Sequence, residues 1–506
     1  MVFAGVIASR RISFGGLVMR SLRVAVTLCL AIAAFYFVSP SYAVEAKAEL
    51  TFTTKVEKAR TLFQQGLTKY DQVRGKEAAE LFRRAIDLDP QFAMAYLFRG
   101  LAGDSVPDIR KAADFAGGLP EPERLFILSF KAQYDNELSK AIEHIERAIK
   151  LLPADARLHV RLAQLYNSAT RRDEALAEIK RATELDLKFA PAQRVLGEIQ
   201  VARGDLAKAL EARESFARLM PDQAEPYQLI AHTYQQLQQF DKAVEYYTRA
   251  LKIDPEYINV YRRRGDAKFF AGDIAGARAD YSAGFERAKG KERNGPLFAT
   301  AFTYMHEGDV DGAVKYYELA IASAKEEKDF VSVSAGFNAL GQTLIEAGRL
   351  VEASRAYSQG YDWAIFAPEF SDKDKWQWKE AYQRSRGRIL ARIGEFDAAL
   401  QQAEALRSMQ QEAGKTSPLD MRNYHSLMGY ILVEKQEFKE ALEHFRQSYP
   451  DDVFIKLLMA RAHLGLNERT TAEKLMKEIA HYTVGSVSSS IARPQALRWL
   501  KANKIE

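Results

Sequence analysis

Catalysis needs a nucleophile beside a base, a cage of metal ligands or a backbone loop for phosphate, and the residues able to supply these are few here. The eight histidines are spread along the chain, and none has a second histidine three or four residues on, the spacing that would set two imidazoles on one helix face. They read as amphipathic or groove residues. Cys29 is the one cysteine and lies in an apolar run near the start, so no CxxC pair or disulfide framework exists. "AGKTS" at Ala413 to Ser417 ends like a phosphate loop, but Met409 stands where the first glycine belongs and no strand pattern precedes it. Acid pairs such as Glu326-Glu327 have no aligned partner elsewhere and suit charged helix faces. The expectation is therefore a protein that is not an enzyme, with no catalytic residues, no metal and no cofactor.

The elements that could position a binding surface are regular. In "PYQLIAHTYQQLQQFDKAVEYYTRALKIDP", Pro226 to Pro255, apolar residues and alanines recur at helical spacing, break once at "QQFD" and stop at proline. Counting from Ala224 as position 1 of a 34-residue unit, small residues fall at positions 8, 20 and 27 (Ala231, Ala243, Ala250) and aromatics at 4, 11 and 24 (Tyr227, Tyr234, Tyr247). Units starting at Ala59, Pro122, Ala156, Ala190, Ala224 and Ile258 all carry alanine at position 20, and three of them bring Gly66, Gly197 and Gly265 to position 8. Small residues let two antiparallel helices approach, and aromatics fill the spaces between those contacts.

This signature resembles the tetratricopeptide repeat family. The resemblance implies an all-α fold, a right-handed α-solenoid of about twelve helix-turn-helix units. The regular array is expected over 59–292, with a shortened unit at 93–121 whose "DSVPD" and "GGLPEPE" interrupt it. From 293 to 483 the units diverge: starts at Asn294, Ser334, Glu380, Arg422 and Val453 are separated by 40, 46, 42 and 31 residues, which longer connections or extra helical turns explain. Residues 44–58 read as a lead-in, and 484–506 as a serine-rich linker, "VGSVSSS", followed by a capping helix starting at Pro494.

The resemblance also implies a concave groove that receives a protein or peptide partner, lined by the first helix of each unit. Carried over position by position, it assigns to that groove Arg157, Arg161, Gln164 and Asn167, then Arg194, then Gln228, His232, Gln235 and Gln236, then Asn259, Arg262 and Arg263. Cations and amides in this order suit a peptide backbone, a carboxylate or an acidic segment. Glu198, Glu225 and Asp266 on the same surface would neutralise part of the stripe. A second candidate is the segment Tyr361 to Tyr382 with Trp363, Trp376 and Trp378, which would either anchor a partner or fill the core of a lengthened helix pair.

Residues 1–43 pair arginines with the apolar run Val24 to Val38 and end on small residues at Ser41 and Ala43, the layout of a secretory signal cleaved after Ala43. Retention as a membrane anchor is the alternative, Arg10-Arg11 would suit twin-arginine export, and Met19 is a second possible start. The whole chain carries 72 Lys+Arg against 67 Asp+Glu, yet beyond Ala43 the balance is 68 against 67, so no nucleic-acid partner is expected. The function expected is an exported, periplasmic or secreted scaffold for a protein or peptide. A membrane-anchored or cytoplasmic regulatory adaptor, and an auxiliary subunit of polysaccharide synthesis or export, are the alternatives.

Overall fold

The computed structural model describes residues 49–103 and 105–505; the signal expected at 1–43 lies outside the described residues. The first half of the array pairs α1 (Glu57–Asp71) with α2 (Gly75–Leu88), α3 (Ala93–Gly103) with α4 (Val106–Asp114), α5 (Glu121–Tyr134) with α6 (Leu138–Leu151), and α7 (Ala156–Ser168) with α8 (Arg172–Leu185). Next come α9 (Ala190–Ala202) with α10 (Leu206–Leu219), α11 (Ala224–Gln236) with α12 (Phe240–Ile253), and α13 (Ile258–Ala271) with α14 (Ile274–Arg287). The divergent part holds α15 (Asn294–Glu307) with α16 (Val310–Glu326), α17 (Phe330–Glu346) with α18 (Leu350–Phe366), and α19 (Asp372–Arg392) with α20 (Phe396–Glu412). It ends with α21 (Arg422–Glu434), α22 (Phe438–Arg446), α23 (Val453–Gly465), α24 (Arg469–Ala480) and a last helix, α25 (Val487–Ala502). Twelve pairs follow one another, as the alanine register predicts, and among the described residues there is no strand.

Packing within a pair explains the register. A Cβ added to Gly66, Gly265, Gly341 or Gly429 on the first helix would lie 2.5–2.7 Å from the ring of Phe82, Tyr281, Tyr357 or Phe445 on the second. Glycine at this position lets the large ring lie flat against the backbone. The two helices are joined by a turn containing one left-handed residue, supplied by Gly272 (φ 92°) in the seventh pair and, less comfortably, by Val73 (φ 63°) in the first. The wider spacing downstream comes from extra turns: α16, α17, α18 and α20 run 17 residues and α19 runs 21, against 13 or 14 for most helices of the regular array.

Odd-numbered helices pack on the odd-numbered helix of the next pair as well as on their own partner, at α7 and α9, α19 and α21, and α21 and α23. This crowding puts them on the inside of the curve. The curve is tight enough for separated pairs to meet: Arg157 on α7 forms an ion pair with Asp71 at the end of α1, and Gln238 Nε2 after α11 donates to the His481 carbonyl after α24 at 3.2 Å.

The C-terminus departs from its sequence reading in two ways. The serines expected in a linker begin α25: Ser486 and Ser489 form a reciprocal capping box, and Pro494 sits inside the helix rather than at its start. Serine is a strong helix N-cap, and that preference outweighs its use in linkers. Nor does α25 merely cover the end of the stack. It packs on α24 and also on α15, α17 and α23, three inner helices, with Arg493 5.3 Å over the Phe270 ring of α13. The chain thus lays its last helix inside its own curve.

Candidate functional site

The first pairs are partly covered by the chain itself, beside an open cavity of about 340 Å³ lined by Leu50, Phe52, Asp71, Asp155 and Arg157. Residues 49–56 run extended across these pairs: the Leu50 amide donates to Asp155 Oδ2 at 2.6 Å, and the Thr54 hydroxyl to Asp89 Oδ2 at 2.5 Å. Thr53 donates through its amide and its hydroxyl to the two oxygens of Glu123, at 2.9 and 2.6 Å, with the Thr51 hydroxyl at 3.4 Å. Glu123 is fully buried, and burial pushes its carboxyl above the usual range while these threonine bonds pull it back. Phe52 completes the seal, its ring 4.9 Å from Phe63 and 6.4 Å from Phe98. The lead-in is therefore a lining, held by the half-buried carboxylate of Asp89 and the buried ones of Glu123 and Asp155, which no repeat position advertises.

The predicted stripe is largely spent on internal contacts. Arg157 is forked onto Asp71 at 2.9 and 2.6 Å. Arg161 is 4% exposed, lies 3.6 Å over the Phe130 ring and donates to the Ser129 hydroxyl and carbonyl, so burial holds its guanidinium below the ordinary range. Arg194 pairs with Glu198 and Arg262 with Asp266, each one turn on, which realises the neutralisation expected from those acids. Gln228 is buried beside the Tyr257 hydroxyl and Gln235 accepts from the Tyr247 hydroxyl at 3.1 Å. His232 is half-buried, with burial and then Arg263 and Arg213 lowering it to about 4. Gln164, Asn167 and Arg263 remain half-exposed and Asn259 and Gln236 exposed. Of the five arginines assigned to the groove, Arg157, Arg161, Arg194 and Arg262 are held by other residues of the chain.

The tryptophans form no shared exposed patch. Trp363 packs beside Phe330 at 5.7 Å in the core of the eighth and ninth pairs, Trp378 stacks on Phe370 at 6.4 Å, and Trp376 carries the Lys415 ammonium 3.0 Å over its ring. All three are half-buried, and Phe366, 82% exposed at the end of α18, is the bare aromatic of that segment. The contacts of all three are with other residues of the chain.

An open cavity of about 610 Å³ lies on the inner face between α17, α19, α21, α23 and α25. Arg384 and Arg388 enter it from successive turns of α19, with Gln342, Gln377, Asn423 and Lys415 around them and Phe454, Ile455 and Leu458 behind. Arg384 donates to Asn423 Oδ1 at 2.7 Å, and burial together with the charge of Arg388 lowers its guanidinium. Arg388 lies 4.7 Å over the Tyr430 ring and 5.0 Å over Phe454. Sequence reasoning carried the groove positions only as far as Arg263; counted from Glu380, Arg384 and Arg388 fall at positions 5 and 9, those of Arg194 and His232 in their own units. The structure also brings together His425 and His444, Nδ1 to Nδ1 at 2.9 Å, which lie 19 residues apart on different helices and looked unrelated in sequence. Among the described residues no group of three or more His, Cys, Asp or Glu side chains is placed to hold a metal ion.

Family profiles described as "Tetratricopeptide repeat" match residues 63–115, 156–189 and 224–257, each on helix pairs of the regular array. Over these three stretches the helix pairs match tetratricopeptide repeats. Similar proteins share only stretches with this chain: anaphase-promoting complex subunit 3 of Schizosaccharomyces pombe is 23% identical over 194 residues, and the CTR9 homolog of Arabidopsis thaliana 26% over 217. These alignments take in 37% and 40% of this chain but 29% and 20% of the relatives, so the chain spans under a third of either. MamA of Desulfovibrio magneticus RS-1 is a similar solved structure, 16% identical, covering 33% of this chain and 95–96% of its own, with a TM-score of 0.31. The tetratricopeptide matches support a scaffold for protein-protein interaction.

Proposed function

We propose that this chain is an exported scaffold that holds a polypeptide partner on the inner face of its second half, in an envelope or extracellular assembly. One observation carries the reading: residues 49–56 and α25 occupy much of the inner face, yet the cavity between α17 and α25 stays open and is lined by arginines and amides. Groups of that kind serve a peptide main chain and acidic side chains. The export half of the proposal is supported by the arginine-then-apolar segment ending at Ala43.

The two halves are tested separately. N-terminal sequencing of the protein recovered from its native cell is expected to begin at Val44; an intact Val24 to Val38 would make the chain a membrane-anchored adaptor. For the scaffold, affinity purification of the full chain under mild cross-linking is expected to return a stoichiometric polypeptide. A chain that recovers no partner and turns over a substrate, with loss on Arg384→Gln, would refute it.

A further inference from the structure

A cavity of about 490 Å³ lies between two outer helices, α14 and α16, with the first turns of α15 as its floor. Ala277 on α14 and Ala313 on α16 hold the same register position, but α14 runs 14 residues and α16 runs 17. The last turn of α16, ending at Glu326, therefore extends past the end of α14 at Arg287. The walls are mostly apolar: Tyr281 and Phe285 come from α14, Pro296 and Leu297 from α15, and Tyr316 and Leu319 from α16. Tyr281 spends its hydroxyl on Asp266 Oδ1 at 2.8 Å, so what it adds to the wall is its ring. Leu319 is an apolar side chain left 45% exposed.

Two donors lining this cavity are unspent. Arg293, half-buried at the head of α15, forms no side-chain hydrogen bond or ion pair among the described residues and lies 4.4 Å over the Phe285 ring. Ser323 is 8% exposed, and its hydroxyl is buried without a hydrogen-bond partner. The remaining polar groups are committed or in water. Arg278 donates to Thr303 Oγ1 at 2.7 Å and pairs with Glu307, the Thr300 hydroxyl donates to the Pro296 carbonyl at 2.9 Å, and Glu286 and Glu326 are exposed. Apolar walls with a few polar groups, in a volume of this order, are the usual form of a small-molecule site. A guanidinium partly withdrawn from water without a counter-charge favours an anion, and a carboxylate accepts from a guanidinium and a hydroxyl alike. We infer that this cavity binds a small amphiphilic acid, an apolar body bearing one carboxylate, with the body against Tyr281, Phe285, Leu297 and Leu319 and the carboxylate on Arg293. The site lies on the outer helices, so the inference stands or falls apart from the inner-face reading.

The test is isothermal titration calorimetry on the full chain with three probes: decanoate, decan-1-ol, which keeps the apolar body and lacks the charge, and butyrate, which keeps the charge and lacks most of the body. Decanoate is expected to bind at one molecule per chain, decan-1-ol more weakly and butyrate not at all. A charged hydrogen bond is worth enough that Arg293→Gln weakens decanoate binding by about tenfold while leaving decan-1-ol binding unchanged. That unchanged arm reports an intact cavity, so a folding defect cannot imitate the result. Ala322→Trp, at an exposed position of α16 that lines the cavity, fills the space and abolishes binding of both ten-carbon probes. Arg287→Gln, which removes an exposed cation lying over Tyr261 and outside the cavity, leaves decanoate binding unchanged. The assignment is overturned if the parent chain binds no decanoate, if decanoate binds no better than decan-1-ol, or if decanoate binding is undiminished in Arg293→Gln or in Ala322→Trp.

Discussion

Thr53 gives Glu123 both of its donors, the amide to one carboxylate oxygen and the hydroxyl to the other, at 2.9 and 2.6 Å. Through this pair a fully buried acid on α5 is satisfied by a segment that lies outside every repeat. The N-terminal lining is thus part of the folded array.

Thr53→Val keeps the shape and removes the hydroxyl, leaving one Glu123 oxygen to the longer Thr51 contact. The expected cost is about 1–3 kcal/mol in urea unfolding, the penalty for a buried polar group left short of a partner. Glu123→Gln keeps an acceptor for the Thr53 amide and removes the desolvated charge, so its cost is expected below about 1 kcal/mol at pH 7. The sign of the pH dependence follows: a carboxyl raised in the folded chain favours folding when protonated, so its contribution is present at low pH and lost as pH rises above the ordinary glutamate range. Stability of Glu123→Gln should therefore gain on the parent as pH rises from about 4 to 7.

The close approach of backbone and ring predicts a second asymmetry. Gly429→Ala would place a Cβ 2.5 Å from the Phe445 ring, which the pair of α21 and α22 cannot absorb without shifting. Overpacking of this kind costs about 1–3 kcal/mol, readable as a lower Tm. Gly103→Ala at the end of α3, where a Cβ meets nothing within 4 Å, is expected to be neutral or slightly stabilising.

Val73 holds a left-handed conformation, φ 63°, that β-branched residues adopt at a cost. Asn136 and Asn467 fill the equivalent turn of other pairs. Val73→Asn is expected to raise stability by about 0.5–1 kcal/mol, measured by urea unfolding, and a loss would mean that the valine side chain contributes more than its backbone costs.

Acid should weaken the array at two histidines. His306, packed edge-on to Phe269 at 5.0 Å, and His232 are both lowered to about 4, first by burial and then by nearby arginines, Arg493 and Arg498 for His306 and Arg263 and Arg213 for His232. The unfolded chain therefore binds these protons first. Their contribution to stability is intact above about pH 6.5, falls as pH drops from there to about 4, and is flat below. The double variant His232→Gln and His306→Gln should lose part of that slope in a Tm profile; an unchanged slope would exclude both groups as its source.

The fold was legible because its units repeat: alanine at position 20 and glycine at position 8 report helix contact directly, and the same residues recur from Ala78 to Ala472. The site was less so. Arg157 and Arg161 have the right positions, but Asp71, 86 residues away, and Ser129 claim them, and such long-range pairs leave no periodic trace. Residues 49–56 and α25 have no repeat pattern at all, so their places inside the curve rest on threonines, serines and single apolar contacts that sequence spacing does not assign. Arg384 and Arg388 were legible, at groove positions 5 and 9 of the unit from Glu380, but the groove reading stopped at the regular array.

The measurement that bears most directly on the scaffold reading is site-specific photo-cross-linking in the native cell, with a photoreactive amino acid at Gln377, on the rim of the cavity, and at Val351, 67% exposed on the outer helix α18. A discrete polypeptide adduct from position 377, absent from position 351 and lost with Arg384→Gln, is the expected result. Adducts of the same size from both positions, or from 351 alone, would contradict an inner-face binding site.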